Sequence, residues 1–387
     1  MTTQTEEIVI IGGGISGAAA AYELAKNGAS VTLVEKGSLA SMASGWTLAG
    51  VRQSGRHPAE LPLAKAAVQR WQVLGDELGA DVSYRQEGNL RLARTPEEAD
   101  FIANMVDEQR SLDLDLDFLP DTKSVKAVAP ALSDDILAAS LCLTDGHANP
   151  TATVQAFAAA AERYGATILT ETTVTGIDVS GGRVTGVQTT AGKIAADMVV
   201  IAAGIYSDRL CHMAGLTLPI TVKHVSVLQT VPLPPMLNQV IGVASANFAC
   251  RQQVDGCFRM TPGSEDWTWP EGQVKAEDIY PPMAAMAMLI ERACEIIPAL
   301  KQARINRTWG GLLDMTPDGL PVIERVPDLD GLVVAAGFSG HGFCLGPITG
   351  QIISDLVIHG ESALPLEPFQ LHRFDNMDME TKAELLG

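Results

Sequence analysis

The order of apolar and polar positions at the start of the chain predicts a strand, a glycine turn, a helix and a second strand. The apolar run EIVII is followed by GGGISG, by AAAAYELAKNG and by ASVTLVE. An unbroken apolar run is typical of a buried parallel strand, and a glycine such as Gly28 commonly ends a helix. These first residues therefore predict one βαβ unit, which takes about 30 residues.

Further along the chain, the period of the apolar positions changes several times. A period near 3.6 residues predicts helices over residues 58–78, 95–112, 151–166 and 281–297. Alternation predicts a strand over 85–93, and the run MVVIAAG predicts a buried strand that ends on Gly204. The acidic stretch 113–121 predicts an exposed edge or loop. Three methionines of the last helix, Met283, Met286 and Met288, are interpreted as core filler.

The chain closes with GLVVAAGFSGHGFCLGPITGQIISDLVI, which predicts a strand, a glycine-rich loop and a helix. Nucleotide-type architecture is thus predicted at both ends of the chain, with a segment of different character between them. A length of 387 residues and an apolar content of 47% are enough for two domains with a sizeable core.

Composition narrows the classes of partner. The net charge of −19 disfavours nucleic acid and anionic membranes, whose binding relies on Lys and Arg, so a small-molecule substrate is expected. No apolar run is long enough for a membrane span, and the polar, acidic N-terminus predicts a cytoplasmic protein. The six cysteines form no CxxC pair, so reduced thiols are expected, and no cluster has the spacing of a metal site.

The first glycine turn carries the candidate chemistry. Gly12, Gly14 and Gly17 fit G-x-G-x-x-G, in which glycines allow a tight turn, close approach of a pyrophosphate and close helix packing. The helix N-terminus offers N–H groups and a positive dipole end to the phosphates. Glu35, at the end of the second strand, suits ribose hydroxyls. This motif alone does not separate NAD from FAD.

Two later strand ends favour FAD. The runs ending at Gly204 and at Gly337 each bring a glycine towards the first unit, and the second continues into GHGF, Gly340 to Phe343. A second glycine loop at a helix N-terminus can stabilise negative charge on a flavin ring. Taken singly, each run is also explained as a strand end that needs small residues.

With these motifs the sequence resembles the D-amino acid oxidase (DAO)-type family of FAD-dependent amine oxidoreductases. The family includes monomeric sarcosine oxidase, glycine oxidase and the β-subunits of heteromeric sarcosine, opine and proline oxidoreductases. The resemblance spans nearly the whole chain and is strongest at VIIGGGISGAAAAYELA, TDGHANP, TPDGLPVI and AAGFSGHGF. The stretch VRQSGRHPAELPLA is most similar to the β-subunits of heteromeric dehydrogenases.

The resemblance implies an α/β fold with a Rossmann-like FAD-binding domain of glutathione-reductase type and an interleaved, sheet-based substrate domain. The FAD-binding domain is expected to comprise residues 1–84, 145–218 and 306–387. The substrate domain is expected to comprise residues 85–144 and 219–305.

The resemblance also assigns residues to the cofactor. Those expected to bind FAD are Gly12, Gly14, Ile15, Ser16, Gly17, Glu35, Lys36, Ser44, Gly45, Gly50, Val51, Val174, Ala203, Gly204, Gly311, Gly337, Gly340, His341, Gly342 and Phe343. A relative that tethers its flavin uses a cysteine where this chain has Gly311, so FAD is expected to be noncovalent. Pro150 stands where other relatives carry a covalent FMN, so FMN at a subunit interface is not indicated.

Three residues are expected to act at the reacting centre: Arg52, His341 and Arg259. Two roles are open for His341, either as a donor to the flavin carbonyl edge or as a residue that orients the glycine loop. Arg52, Arg251 and Arg259 are expected to bind the substrate, because an anionic amino acid needs local cations in an acidic protein. Cys344 replaces a lysine that helps to bind the carboxylate in relatives, so it is the fourth candidate substrate contact.

The implied activity is oxidation of a CH–NH bond of an amino acid or secondary amine such as sarcosine, proline, an opine or glycine. Hydride passes to flavin N5 and the imine then hydrolyses. The chain is either a self-sufficient oxidase that produces H2O2 or the catalytic β-subunit of a heteromeric dehydrogenase with further subunits as partners. Three functions of a different class compete with this one: a flavin-dependent RNA-modifying protein, which the charge disfavours, a flavoprotein subunit that serves only in binding, and an NAD dehydrogenase.

Overall fold

The computed structural model describes residues 7–267, 274–375 and 377. Its helices are α1 (Ile15–Lys26), α2 (Ala43–Trp46), α3 (Leu61–Trp71), α4 (Leu74–Leu78), α5 (Pro96–Ser111), α6 (Thr122–Val128), α7 (Pro150–Arg163), α8 (Ser207–Met213), α9 (Met283–Ile296) and α10 (Gly342–Ile358). The predicted α/β class is confirmed, and the two ends of the chain meet in one sheet.

That first sheet has six strands among the described residues. Their order is β19 (Val322–Arg325), β20 (Leu332–Ala336), β12 (Met198–Ile201), β1 (Glu7–Ile11), β2 (Ser30–Val34) and β8 (Thr167–Leu169). All neighbours pair in parallel except β19 with β20. The predicted βαβ unit is β1–α1–β2, and the buried run MVVI, residues 198–201, lies beside it.

The two faces of the first sheet follow the alternation of its strands. Ile8 and Ile10 point to one side, where α1, α3, α7 and α10 pack. Val9 and Ile11 point to the other side, towards a small antiparallel sheet of β9 (Val174–Ser180), β10 (Arg183–Thr189) and β11 (Gly192–Ala195). Helices α1 and α10 approach closely, because Gly350 lies directly against Ala19. Burial on both faces explains why these strands are continuous apolar runs.

A larger sheet of nine strands, within the described residues, lies over the first. In chain order its strands are β4 (Asn89–Ala93), β5 (Asp117–Leu119), β6 (Ala138–Cys142), β13 (Thr221–Pro232), β14 (Val240–Val243), β15 (Phe248–Gln252), β16 (Cys257–Pro262), β17 (Glu265–Asp266) and β18 (Ile305–Met315). Strands β3 (Gly50–Val51) and β7 (Gly146–His147) form a separate, antiparallel two-stranded sheet. Strand β18 pairs with β13 along most of its length, although it falls within the segment 306–387 expected to bind the cofactor.

Some predicted elements differ from the structure at their bounds. The helix predicted over 58–78 is two helices, α3 and α4. The strand predicted over 85–93 was wrong in its first half, because Gly88 has a φ of +94° and only β4 follows it. The acidic stretch 113–121 contains β5, which ends the larger sheet as an edge strand.

The interpretation of the α9 methionines as core filler was wrong for two of the three. Met283 is 90% exposed and Met288 is 47% exposed, whereas Met286 packs against the core. The buried stripe of α9 consists of Ala285, Leu289, Ala293 and Ile296.

Candidate active site

The first glycine turn is shaped by close contacts that leave no room for side chains. Gly12 has a φ of +116°, and a Cβ added there would collide with the carbonyl oxygen of Ala202, at the end of β12. A Cβ on Gly17 would collide with the carbonyl oxygen of Gly12. The first glycine therefore makes the turn and the third lets α1 pack on the turn, as the motif predicts.

Two side chains bind the turn from the strand and helix that follow. The Glu35 carboxylate accepts hydrogen bonds from the backbone N–H groups of Gly13 (2.7 Å) and Gly37 (2.8 Å). The Ser44 hydroxyl oxygen accepts the N–H of Ile15 at the start of α1 (3.0 Å). Glu35 and Ser44 thus lie at the helix N-terminus, where phosphate and ribose groups bind in folds of this kind.

A cavity of about 430 Å³ extends from this turn to the facing side of the larger sheet. The residues predicted to bind the cofactor that line it are Gly12, Gly14, Ile15, Ser16, Glu35, Lys36, Ser44, Gly50, Val174, Ala203, Gly204, Gly311, Gly340, His341, Gly342 and Phe343. Arg52 also lines it. One continuous cavity therefore brings together residues that are up to about three hundred positions apart in the chain.

Four predicted cofactor residues lie behind this lining: Gly17, Gly45, Val51 and Gly337. Gly45 lies against the Ala40 carbonyl, and Val51 is fully buried in β3. The space next to Gly337 is filled by Thr316. These residues shape the backbone around the cavity, and their contact with a cofactor stays a prediction.

Asp314 holds the loop from Gly337 to Gly342 in a conformation that strains the backbone at Ser339, a non-glycine residue with a positive φ. Gly337, Ser339 and Gly340 all have positive φ values of +71°, +50° and +88°. The buried Asp314 carboxylate accepts the N–H of Gly337 (2.7 Å), and the Asp314 carbonyl accepts the N–H of Ser339 (3.0 Å). Burial raises the pKa of Asp314 to about 6. Strain of this kind needs such support and is typical of functional loops.

His341 follows this loop, caps α10 and belongs to a buried ionic cluster. Its Nδ1 lies 2.9 Å from Glu60, which also pairs with Arg56 at 3.5 Å. Burial alone would raise the pKa of Glu60, but His341 and Arg56 outweigh it and lower this pKa to about 2. Burial, followed by the charge of Arg56, lowers the pKa of His341. Glu60 thus accepts the Nδ1–H of His341, and this contact fixes the orientation of the ring.

The other ring nitrogen of His341, Nε2, is buried without a hydrogen-bond partner among the described residues. In the neutral tautomer that Glu60 selects, Nε2 carries the lone pair. A buried unpaired atom on a cavity-lining residue is the kind of group that a bound cofactor or substrate satisfies.

Arg52 is fixed at the cavity by its own backbone. Its N–H and its carbonyl both lie 3.3 Å from the Cys344 sulfur, and its Nη1 donates to the Ser54 carbonyl (2.8 Å). Burial, then Arg56 and Arg91, lower the pKa of Arg52 to about 9, so the guanidinium stays charged at neutral pH. Cys344 does not line the cavity, and burial raises its pKa. Cys344 therefore supports the backbone of Arg52.

Arg251 and Arg259 face each other across β15 and β16 and do not line the cavity. Arg251 donates to Nδ1 of His147 (2.6 Å), whose pKa burial and Arg251 lower to about 3. Arg259 donates to the Thr47 carbonyl (2.7 Å) and lies over the Trp309 ring. The structure thus places both arginines outside the cavity lining, where Arg251 holds the His147 ring and Arg259 holds the Thr47 backbone.

Sequence reasoning missed several residues that the structure places at the site. Arg91 and Ser140 line the cavity from neighbouring strands, and Glu60 and Asp314 hold the loop. No local motif marks them in a single sequence. Glu60 acts through His341, which is 281 residues away in the chain.

The lining fits FAD, the cofactor implied by the motifs. A glycine turn opens on the N-terminus of α1, Glu35 lies at the end of β2, and Gly311 leaves the floor of the cavity free of a side chain. The cavity then continues past Thr173 and Val174 at one end and His341 at the other.

In the described part of the chain, no group of three or more His, Cys, Asp and Glu is arranged to hold a metal ion, and no helix is long and apolar enough to cross a membrane.

Comparison with known proteins gives consistent matches. The family model of DAO, FAD-dependent oxidoreductase, matches residues 7–356. Glycine oxidase from Geobacillus kaustophilus is 31% identical, over 96% of this chain and 98% of that protein. Sarcosine oxidase subunit beta from an Arthrobacter species is 30% identical, over 95% of this chain and 91% of that subunit. The crystal structure of L-proline dehydrogenase from P. horikoshii is similar with a TM-score of 0.87 and 31% identity, over 96% of this chain and 98% of that chain.

Proposed function

This chain belongs to the DAO family of FAD-dependent oxidoreductases, and from that premise we propose that it oxidises a CH–NH bond of an amino acid or secondary amine. The family and the use of FAD that the motifs predict are confirmed. The relatives described above are named for glycine, sarcosine and L-proline, and each of these compounds carries a carboxylate next to a CH–NH group.

The observation that carries the proposal is the single cavity that joins the glycine turn to Arg52 and His341. FAD, when bound, would supply the hydride acceptor for the carbon next to nitrogen, and hydrolysis of the resulting imine would give a carbonyl group and an amine. Arg52 would bind the substrate carboxylate, since its guanidinium is charged and lines the cavity, its Nη1 donates to the Ser54 carbonyl, and its backbone is fixed by the Cys344 contacts. Orientation by this one ion pair would bring the CH–NH carbon to the flavin.

His341 would act as a positioning residue of the loop. Glu60 holds its Nδ1, so Nε2 can accept one hydrogen bond within the cavity wall. The N-terminus of α10 begins at Gly342 and adds its positive dipole end beside the same loop. The helix N-terminus would therefore stabilise negative charge at this end of the cavity, and His341 would orient the loop without moving a proton.

The FAD-binding residues and the domain division predicted from the sequence are part of this proposal. FAD is proposed to be noncovalent, because Gly311 offers no side chain for a tether. We also propose a cytoplasmic location, because all six cysteines are free thiols and five of them are buried. Acid precipitation should release all of the flavin into the supernatant, and flavin retained by the pellet would contradict the noncovalent proposal.

The experiment that tests the activity is an anaerobic screen of flavin absorption against D- and L-amino acids, N-alkyl amino acids and proline. We expect at least one amine to bleach the flavin fully and to be converted to the carbonyl product, an oxo acid or an aldehyde, that hydrolysis of its imine gives. Failure of all of them, in protein that is saturated with FAD, would reject the proposed function.

The sequence similarity to sarcosine oxidase subunit beta supports a second form of the same function, the catalytic subunit of a heteromeric dehydrogenase. A dehydrogenase subunit is expected to be reoxidised slowly by O2 and faster by an artificial electron acceptor. Fast, stoichiometric peroxide formation by the isolated chain would instead support a self-sufficient oxidase.

A further inference from the structure

A fully buried carboxylate lies directly behind the loop that carries Arg52. It belongs to Asp145, which stands between β6 and β7 and is not among the residues that line the cavity. Burying a carboxyl group is costly unless hydrogen bonds or positive charge replace the lost water. The partners of Asp145 therefore indicate what this residue does.

The pairing of β3 with β7 brings Asp145 to Arg52. The two strands are antiparallel and pair through Val51 and Gly146, so the residues that come next in the ladder are Arg52 and Asp145. A side chain on Gly146 would collide with the carbonyl oxygen of Arg85, so β7 can lie at this place only with a glycine there. Strand register therefore places Asp145 at the start of the Arg52 loop.

The Asp145 carboxylate binds the two residues that follow Arg52. Its Oδ1 accepts the N–H of Gln53 (2.8 Å), and its Oδ2 accepts the N–H of Ser54 (3.2 Å). The Ser54 hydroxyl also donates to Oδ2. Both carboxylate oxygens thus hold one short stretch of backbone, which extends the pairing of β3 beyond the end of the strand.

Ser54 connects this carboxylate to the Arg52 guanidinium. The Ser54 carbonyl oxygen accepts Nη1 of Arg52 (2.8 Å), so the residue that Asp145 holds by its N–H and hydroxyl in turn holds the guanidinium. The contacts with Cys344 involve only the backbone of Arg52. The orientation of the guanidinium therefore depends in part on where Asp145 places the Ser54 carbonyl.

Asp145 also acts on the charge of Arg52. Burial, followed by Arg56 and Arg91, lowers the pKa of Arg52 to about 9, and Asp145 and Glu60 oppose that shift. Of these two carboxylates, Asp145 has the larger effect. A guanidinium that stays charged and is held in one orientation can bind a carboxylate with two parallel hydrogen bonds.

We propose that Asp145 is a positioning residue, which acts through the Ser54 backbone and holds the Arg52 guanidinium in the orientation that binds the substrate carboxylate. The inference rests on the proposed function, which assigns the substrate carboxylate to Arg52. Because Asp145 lies outside the lining of the cavity, it acts on the substrate only through other residues. Its loss should weaken carboxylate binding more than it slows hydride transfer from bound substrate.

The Asp145→Asn variant tests the proposal in FAD-loaded protein, because it keeps the shape of the side chain and replaces one acceptor oxygen by a donor. The anaerobic rate of flavin reduction at increasing concentrations of the most reactive amino acid gives Kd and the limiting rate separately. We expect Kd to rise roughly 10- to 100-fold, as loss of a charge-assisted hydrogen bond does, with a smaller change in the limiting rate. The exposed Asp328→Asn variant is the control and should keep the wild-type Kd.

The direction of the change separates positioning from a simple effect of charge. If Asp145 acted on Arg52 only as a nearby negative charge, its neutralisation would tighten the binding of an anionic substrate. A Kd that falls, or that keeps its wild-type value, in folded Asp145→Asn would therefore overturn the proposal. Flavin of the wild type that no amine reduces would instead count against the proposed function.

A double-mutant cycle tests whether Asp145 acts through Arg52. In the Arg52→Met background, Asp145→Asn should change Kd less than about 2-fold, because the guanidinium that it positions is gone. A general structural role predicts that the effects of the two substitutions multiply, and that result would overturn the proposal.

Ser54→Ala covers the case in which Asp145→Asn does not fold. It removes the hydroxyl bond to Asp145 and keeps both N–H bonds, so Kd for the amino acid should rise roughly 3- to 10-fold. The carboxamide of the same amino acid offers no negative charge to Arg52, and its binding, followed by flavin absorption, should be alike in Ser54→Ala and the wild type. An unchanged Kd for the amino acid, or an equal loss for both compounds, would overturn the proposal.

Discussion

At the scale of single residues, the site depends on buried charges whose partners are far away in the sequence. Glu60 is fully buried and binds both Arg56 and His341. The sequence indicates His341, because it lies in a glycine loop at a helix start, but Glu60 lies in an ordinary helical stretch. A single sequence contains no signal for a pair that only the fold brings together.

The Glu60→Gln substitution tests the buried cluster. It leaves the Arg56 charge without its carboxylate, so we expect the free energy of unfolding to fall by about 3–5 kcal/mol. Chemical denaturation of the FAD-loaded protein measures this change. The exposed Glu108→Gln serves as the control and should change little. Equal stability of the two variants would show that the Glu60 cluster does not stabilise the fold.

At the residue scale, the sequence predicts the position of a side chain best where that side chain belongs to a local backbone motif. The glycine turn and Glu35 line one end of the cavity, as expected from their spacing. Arg251 and Arg259 are expected from the sequence to bind the substrate because it needs cations, and Arg259 is expected at the reacting centre as well. Strand register decides what these arginines contact. Arg251 contacts the His147 ring and Arg259 contacts the Thr47 carbonyl, both outside the lining of the cavity.

At the scale of elements, the ends of β18 and β20 are joined through Asp314. Its carboxylate holds Gly337 at the start of the strained loop, yet burial raises its pKa to about 6. A carboxyl group whose pKa is higher in the folded than in the unfolded state binds its proton more tightly when folded. Its contribution therefore makes stability fall as the pH rises from about 4 to about 6.

The Asp314→Asn variant removes this titration. Relative to the wild type, its free energy of unfolding should rise between pH 4 and pH 6 by about 2–3 kcal/mol, and remain level above pH 7. Denaturation curves at a series of pH values give the difference. The exposed Asp328→Asn variant should show no such trend, and a parallel course for Asp314→Asn would contradict the account.

The packing of α1 on α10 is a second element-scale feature. A Cβ on Gly350 would lie 2.5 Å from the Cβ of Ala19 and 2.8 Å from the backbone N of Ala20. Gly350→Ala should therefore lower the free energy of unfolding by about 1–3 kcal/mol through overpacking. At Gly176, where the nearest atoms are 3.7 Å away, Gly176→Ala should be tolerated better. The reverse order of thermal stability would contradict this packing argument.

Elements themselves were predictable where the apolar period was long and unbroken. Strands β1 and β2 and helices α1, α5 and α7 lie where the sequence predicts them. The strand predicted from residue 85 failed because Gly88 turns the chain before β4. The prediction that the α9 methionines are core filler was wrong for Met283 and Met288, because periodicity identifies an apolar stripe but does not show whether another element covers it.

At the scale of the whole molecule, the chain leaves the first sheet and returns to it, and the larger sheet closes over the cavity. β1 at the N-terminal end and β20 near the C-terminal end both flank β12. The sequence predicts this return from its two glycine loops, but the pairing of β4 with β14 brings together segments whose motifs are weak. Arg91 lies on that part of the sheet, so its place at the cavity could not be predicted.

The central claim is that this cavity holds FAD beside an amine substrate whose CH–NH carbon gives up a hydride. The most direct measurement is the anaerobic rate of flavin bleaching in FAD-loaded protein, with the best amine and with the same amine deuterated at that carbon. We predict complete bleaching, a severalfold slower rate with deuterium and one carbonyl product, an oxo acid or an aldehyde, formed per flavin. Bleaching at the same rate without consumption of the amine, or no bleaching by any amine, would contradict the claim.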